Sequence, residues 1–147
     1  MKKVTILSFA IILFSISIIS LCIKQNNNPG KPIYLPKRSA EITQTAQQYL
    51  LDYVPDGNVI LMFYAEWCGP CRRMCPLIDN LAELLLQFTF LKINRDDFKD
   101  LAHVYGITSI PTLIFLHNGK EIGRYEGKPL TQEKLGKLIK KVFARVN

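Results

Sequence analysis

Trp67-Cys68-Gly69-Pro70-Cys71 joins a predicted strand to a predicted helix near the middle of this 147-residue chain. The apolar run from Asn58 to Ala65 comes directly before it and predicts a buried strand. A helical pattern that continues to about Gln87 comes directly after it. A strand that turns straight into a helix through two cysteines is a layout typical of a redox-active dithiol.

The spacing of the two cysteines indicates their chemistry. Side chains three residues apart lie one helical turn apart, so Cys68 and Cys71 can form a disulfide. Cys68 falls at the helix start, where unpaired N–H groups and the positive end of the dipole favour the thiolate, which is the attacking species in disulfide exchange. Pro70 suits a first helical turn and Trp67 supplies an apolar wall beside Cys68. We therefore expect Cys68 to be the exposed nucleophile and Cys71 the more buried resolving thiol.

The alternative interpretation of the two cysteines is half of a zinc site. Zinc takes about four ligands, and the sequence offers no second CxxC and no HxxxH. His103 and His117 stand alone, and we expect them in a surface helix and a hairpin. We predict neither a metal nor a cofactor.

The flanking sequence predicts an α/β fold with one domain, residues 33–147. The order βαβαβαββα implies a central mixed β-sheet flanked by helices on both sides. Asn118-Gly119 is a strong hairpin signal, and Gly106 is placed to end a short helix. Strands are predicted at 33–35, 58–65, 88–94, 112–117 and 120–126. Helices are predicted at 40–53, from the cysteine stretch to about residue 87, at 97–105 and from residue 131 onward.

The cysteine stretch, together with Ser109-Ile110-Pro111-Thr112, the hairpin and the closing helix, resembles the thioredoxin family over roughly residues 31 to 147. The resemblance implies the thioredoxin fold and thiol-disulfide oxidoreductase activity on disulfide-containing proteins. It implies that Pro111 is a cis proline beside the cysteines and that the backbone of Ile110 pairs with the substrate chain. The docking patch that it implies around Cys68 consists of Gly69, Pro70, Ser109, Ile110 and Gly127. It also matches Pro76 to a proline inside the helix and Lys92 to a lysine near the active site.

Two positions depart from the family pattern. Met62 stands where the family usually has a buried aspartate beneath the cysteines, so proton transfer to Cys71 must use water, Lys92 or nothing. Cys75 lies one helical turn past Cys71, and is either a small core residue or a third redox thiol. Lys92 and Asp96 are as compatible with an ordinary surface pair as with tuning of the site.

The beginning of the sequence predicts a membrane segment. After Met1-Lys2-Lys3, about 20 residues from Val4 to Ile23 carry no charge, enough for a helix that crosses one hydrocarbon core. We favour an uncleaved anchor over a cleaved signal peptide or lipid attachment at Cys22, with residues 24–32 as a tether. Lys2 and Lys3 favour a cytoplasmic amino terminus, which places the domain outside the cytoplasm, in the periplasm or an equivalent space.

The charge of the chain does not indicate binding to nucleic acid. The net charge of +7 is densest in the last helix, and no basic groove with interleaved aromatic residues is visible. We predict a monomeric reductase of protein disulfides that receives electrons from a membrane thiol donor. The alternatives are an oxidase or isomerase on the same scaffold, and a non-catalytic binding module.

Overall fold

The computed structural model describes residues 30–34 and 56–146. Within them the chain forms five strands and three helices. In chain order these are β1 (Ile33–Tyr34), β2 (Asn58–Tyr64), α1 (Gly69–Leu84), β3 (Thr89–Asn94), α2 (Lys99–Val104), β4 (Thr112–His117), β5 (Lys120–Glu126) and α3 (Gln132–Phe143). The predicted helix at 40–53 lies outside the described residues.

The strands form one mixed sheet in the order β1-β3-β2-β4-β5. β3 runs parallel to both β1 and β2, with Met62 opposite Lys92 and Tyr64 opposite Asn94. β4 runs antiparallel to β2 and pairs Phe63 with Thr112, and β5 returns antiparallel to β4. The carboxyl ends of β2 and β3 therefore share one edge of the sheet with the start of β4.

Each face of the sheet has its own apolar core, because successive side chains of a strand point to opposite faces. Met62 and Phe90 pack with α1 and α3, whereas Leu61 and Leu91 pack with α2 on the other face. Buried residues of α1 and α3 recur at helical spacing, so each helix presents one apolar stripe to the sheet. The predicted mixed sheet with helices on both sides is confirmed for the described residues.

The element ends differ from the predictions by a few residues. α1 ends at Leu84 rather than near Gln87, because Leu85 leaves the helical region with φ −118° and ψ 63°. The hairpin has the predicted turn, with Asn118 at φ 49° and Gly119 at φ 75°. Of the described residues, none belong to a helix long and apolar enough to cross a membrane, and the run Val4 to Ile23 lies outside them.

Candidate active site

Cys68 is the N-cap of α1 and lies in the connection between β2 and this helix. Its backbone is extended, with φ −81° and ψ 104°, and its sulfur accepts the backbone N–H of Cys71 at 3.1 Å. Proline in the first turn costs no helical hydrogen bond, and that turn contains no acidic residue. Arg72 and Arg73 follow directly on the exposed side. The position at the helix N-terminus and the contact with the Cys71 N–H stabilise negative charge on the Cys68 sulfur once the pair is reduced.

Cys68 and Cys71 form a disulfide in the structure, with Cα atoms 5.2 Å apart. Both residues are buried, Cys68 with 4% and Cys71 with 1% of its surface accessible. The expectation of an exposed Cys68 is therefore wrong for this oxidised form. The reason is that the segment before Pro111 covers the sulfur, which lies 3.8 Å from the carbonyl oxygen of Ile110.

The loop from Ser109 to Thr112 forms the second wall of the site. The Ile110–Pro111 peptide bond is cis, and the Thr112 hydroxyl donates to the Ser109 carbonyl at 2.8 Å. Ser109 is exposed and Ile110 half-buried. The Ile110 carbonyl thus lies beside Cys68 at a position that an extended substrate chain can approach.

The remaining residues of the expected docking patch meet at the same edge. Glu126 is the register partner of Thr112, which places Gly127 beside Pro111. Gly127 has φ +147°, a conformation that L side chains rarely adopt. Gly69 is half-buried and Pro70 exposed at the start of α1. Of the predicted patch, Ile110 contacts the Cys68 sulfur, Gly69 and Pro70 follow Cys68 in the chain, and Gly127 lies beside Pro111.

Trp67 is held by a partner that the sequence analysis did not identify. Its indole Nε1 donates to the Asp96 carboxylate at 2.8 Å. The backbone N–H of Asp96 donates to Asn94 Oδ1 at 3.0 Å. Asp96 follows the carboxyl end of β3, next to the end of β2, and that position was its only signal in the sequence. The contact orients an exposed aromatic ring beside Cys68.

Lys92 does not form the surface pair with Asp96 that the sequence allowed. It is 1% exposed on β3, and its ammonium donates to the carboxylate of Asp79 on α1. Lys92 shares a sheet face with its register partner Met62, so it enters the core between the sheet and α1. Asp79 stands eight residues after Cys71 on the same helix, and this spacing along one face was the available signal.

Cys75 lies between the disulfide and the Lys92–Asp79 pair. It is a free, half-buried thiol one turn beyond Cys71 and packs against the apolar core. Burial raises the pKa of the Cys75 thiol; Lys92 opposes this effect, while Asp79 and Glu66 add to it. Cys75 is accordingly a protonated thiol at neutral pH, which disfavours attack on the neighbouring disulfide.

The described residues contain no group of three or more His, Cys, Asp or Glu side chains that could hold a metal ion. His117 instead contacts Asn58 through Nδ1, at 2.8 Å from Oδ1, at the far end of β2. His103 is an exposed residue of α2. His117 therefore lies at the end of the sheet opposite the cysteines.

Comparison with known sequences gives a family match over most of the chain. The sequence model of the thioredoxin family matches residues 40–141. Thioredoxin of Chlamydia trachomatis is 40% identical over 96 residues, which covers 65% of this chain and 93% of that protein. Thioredoxin-1 of Saccharomyces cerevisiae is 34% identical over 84 residues, covering 57% of this chain and 82% of the yeast protein.

Comparison with solved structures gives the same fold. Thioredoxin F from spinach chloroplast superposes with a TM-score of 0.61 at 28% identity, covering 78% of this chain and 88% of the spinach chain. A mutant thioredoxin from Halobacterium salinarum gives a TM-score of 0.59 at 28% identity, covering 78% of this chain and 92% of the other.

Proposed function

Because the chain belongs to the thioredoxin family, we propose that it reduces protein disulfides. From the uncharged run Val4 to Ile23 we further propose that it is anchored in a membrane and acts on the extracytoplasmic side. The family and the paired cysteines make it a thiol-disulfide oxidoreductase. The observation that carries the proposed reaction is Cys68 at the N-cap of α1, with its sulfur facing both the Cys71 N–H and the Ile110 carbonyl.

The reaction begins from the reduced pair. The Cys68 thiolate attacks one sulfur of the substrate disulfide, the substrate S–S bond breaks, and its other sulfur leaves as a thiolate that takes up a proton. Cys71, deprotonated, then attacks the Cys68 sulfur, which breaks the mixed disulfide and releases the second substrate thiol. Two electrons pass to the substrate, and the Cys68–Cys71 disulfide of the structure is the product form.

Substrate docking is proposed to use the Ser109–Thr112 loop. The Ile110 carbonyl accepts a backbone N–H of an extended substrate segment, which aligns the substrate disulfide with Cys68. The exposed Trp67 ring and Pro70 provide apolar contact on the other side. Main-chain recognition of this kind suits protein substrates with varied side chains.

The proposed location rests on the sequence from Val4 to Ile23, whose length without a charge matches one hydrocarbon core. Lys2 and Lys3 orient such a helix with its amino end in the cytoplasm. Outside the cytoplasm the oxidised pair needs two electrons per turnover, so the proposed partner is a membrane protein that carries thiol electrons.

Substrate trapping tests the reaction. The Cys71→Ser variant cannot resolve the mixed disulfide, so we expect it to retain substrate proteins on Cys68, released by dithiothreitol. The matched Cys68→Ser variant should retain none. Equal retention by both variants, or full cellular activity of Cys68→Ser, would contradict the reductase mechanism in favour of a binding module.

Two further measurements test direction and location. A reduction potential at the reducing end of the thiol-disulfide scale is expected for a reductase, whereas a strongly oxidising value points to an oxidase or isomerase. For location, a reporter that is active only outside the cytoplasm is fused after Asn147. An inactive fusion, with an active cytoplasmic reporter at the same place, contradicts the proposed side of the membrane.

A further inference from the structure

The chain enters the domain at the end of the sheet opposite Cys68. β1, β2 and β3 run parallel and begin at the same end, while the cysteines follow the carboxyl end of β2. Gly30, just before β1, lies against the last turn of α1: a Cβ built on it would be 3.4 Å from Leu86 Cδ2 and 3.6 Å from Glu83 Cα. α1 has 16 residues, so it separates this entry point from Cys68 by about 24 Å.

The same end of the molecule exposes two large apolar side chains. Leu84 is 66% and Leu86 62% exposed, directly where Gly30 contacts the chain. Exposure of two leucine side chains to water is unfavourable for the folded protein. Exposed apolar groups clustered beside charges are typical of an interaction surface.

Basic residues lie in the segments that meet at this end of the molecule. Phe88 packs on Phe143 with ring centroids 4.8 Å apart, so the last turn of α3 lies beside the segment after Leu86. We define the basal surface as residues 30–31, 83–87 and 140–145. It contains four basic residues, Lys31, Lys140, Lys141 and Arg145, against one acidic residue, Glu83.

The cysteine end has no such excess. Residues 66–73 and 95–97, which surround Cys68 and the end of β3, carry three basic and three acidic side chains: Arg72, Arg73, Arg95, Glu66, Asp96 and Asp97. Of these two sets of described residues, the one at the Gly30 end combines an excess of basic side chains with exposed leucines, and the one at the cysteine end does not.

We propose that the basal surface lies on the bilayer that holds residues 4–23, with Leu84 and Leu86 in the headgroup region and the basic residues on anionic phospholipid. This inference rests on the anchoring proposed above. Only residues 24–29 separate Ile23 from Gly30, so even a fully extended tether keeps Gly30 within roughly 25 Å of the membrane. A surface that combines exposed apolar side chains with an excess of lysine and arginine fits an anionic lipid surface.

The proposed contact fixes the orientation of the catalytic end. With the basal surface on lipid, α1 points away from the bilayer and holds Cys68 about one helix length above it. The disulfide is then presented to proteins of the aqueous space rather than to the lipid surface.

The test uses the full chain reconstituted into vesicles of brominated phosphatidylcholine, with and without phosphatidylglycerol. Trp67 is the single tryptophan, so Trp67→Phe gives a silent background. In that background we compare Leu86→Trp with the matched control Val104→Trp, since Val104 is 61% exposed on the opposite face of the sheet. Bromine quenches tryptophan only at close range.

We expect strong quenching of Leu86→Trp in vesicles that contain phosphatidylglycerol, and none of Val104→Trp or of native Trp67. Adding Lys140→Gln and Lys141→Gln to Leu86→Trp should weaken binding of the surface to the vesicle roughly 25-fold, since each basic residue near an anionic surface contributes about fivefold. Reduction of a soluble disulfide substrate by Lys140→Gln/Lys141→Gln in the native Trp67 protein should not change, because α1 separates this surface from Cys68.

Absence of quenching in Leu86→Trp, or equal quenching in Val104→Trp, overturns the basal contact. A blue shift of Leu86→Trp that grows with protein concentration in unbrominated lipid, without quenching in brominated lipid, identifies a second copy and also overturns it. Anchoring is read separately, by flotation after alkaline carbonate extraction. Chain lost from the vesicles overturns the anchor, whereas an anchored chain with unquenched Leu86→Trp overturns only the surface contact.

Discussion

The buried Lys92–Asp79 pair predicts that two substitutions which break the same contact differ in cost. The Lys92 side chain has 0% of its surface accessible, whereas the Asp79 side chain has 42%. Asp79→Asn leaves the ammonium in the core without that carboxylate. Lys92→Met instead removes the buried charge and leaves a carboxylate that water can solvate.

The magnitudes follow from this difference in exposure. Removing one partner of a fully buried pair costs about 3–5 kcal/mol, because the other charge stays in a medium of low polarity. Solvent reaches Asp79 and screens part of the attraction, so we expect Asp79→Asn to cost about 1–2 kcal/mol. Replacing a buried ion with an apolar chain of similar length is often neutral or stabilising, so Lys92→Met should cost less than half as much.

The assay is urea unfolding of the oxidised full chain in nonionic detergent, followed by the fluorescence of Trp67. The matched control is Glu133→Gln, which breaks the Lys137–Glu133 pair on the surface of α3, where both side chains are 75% exposed. That control should change the free energy of unfolding by less than about 0.5 kcal/mol. If Lys92→Met cost as much as Asp79→Asn, or more, the assignment of the cost to a buried ammonium would be refuted.

Three other predictions concern the site itself. Met62→Asp places a carboxylate in the core that contains Cys71. We expect it to raise the rate of insulin reduction at neutral pH and to lower the free energy of unfolding. Superimposable pH–rate profiles of the two proteins would rule out a role of the residue at position 62 in proton transfer. Because burial raises the pKa of Cys75, its alkylation by iodoacetamide should require a more alkaline pH than that of free cysteine. Because the folded state raises this pKa, the free energy of unfolding should fall as the pH rises above about 8.5, where an ordinary thiol ionises. Urea titrations of Cys75→Ala should not show this part of the fall. Mass mapping of the oxidised protein should find only the Cys68–Cys71 bond. Asp96→Ala frees the Trp67 indole and should raise KM for a protein disulfide with little change in kcat; an unchanged KM would show that the hydrogen bond does not position the ring for substrate.

The elements around the site could be predicted because their signals are local. β2 and β4 are continuous apolar runs whose interior residues are all buried, and α3 repeats its apolar residues at helical spacing. Asn118-Gly119 encodes a turn through residues that tolerate positive φ. Element ends were less certain because Leu84, Leu85 and Leu86 continue the apolar pattern after the helix stops.

The partners within the site could not be predicted because they depend on register. Spacing along α1 places Asp79 on the face of Cys71 and Cys75, yet only the position of α1 on the sheet brings it to Lys92. The same holds for Trp67 and Asp96, which are joined by the parallel pairing of β2 and β3. The burial of Cys68 likewise follows from the Ile110 segment, 42 residues away in sequence.

Met62 and Lys92 together suggest how protons reach Cys71. The two are register partners on one sheet face, but the Lys92 ammonium is directed to Asp79 at the exposed side of α1 rather than to a carboxylate on β2. Cys71 is buried in the same apolar cluster as Met62 and Met74. The charge pair lies more than one helical turn away, since Asp79 follows Cys71 by eight residues. Proton exchange at Cys71 then depends on solvent that enters from the Cys68 side, after the substrate has opened the Ile110 contact. We therefore expect resolution of the mixed disulfide, rather than attack by Cys68, to be the step more sensitive to pH, and a carboxylate at position 62 to reduce that sensitivity.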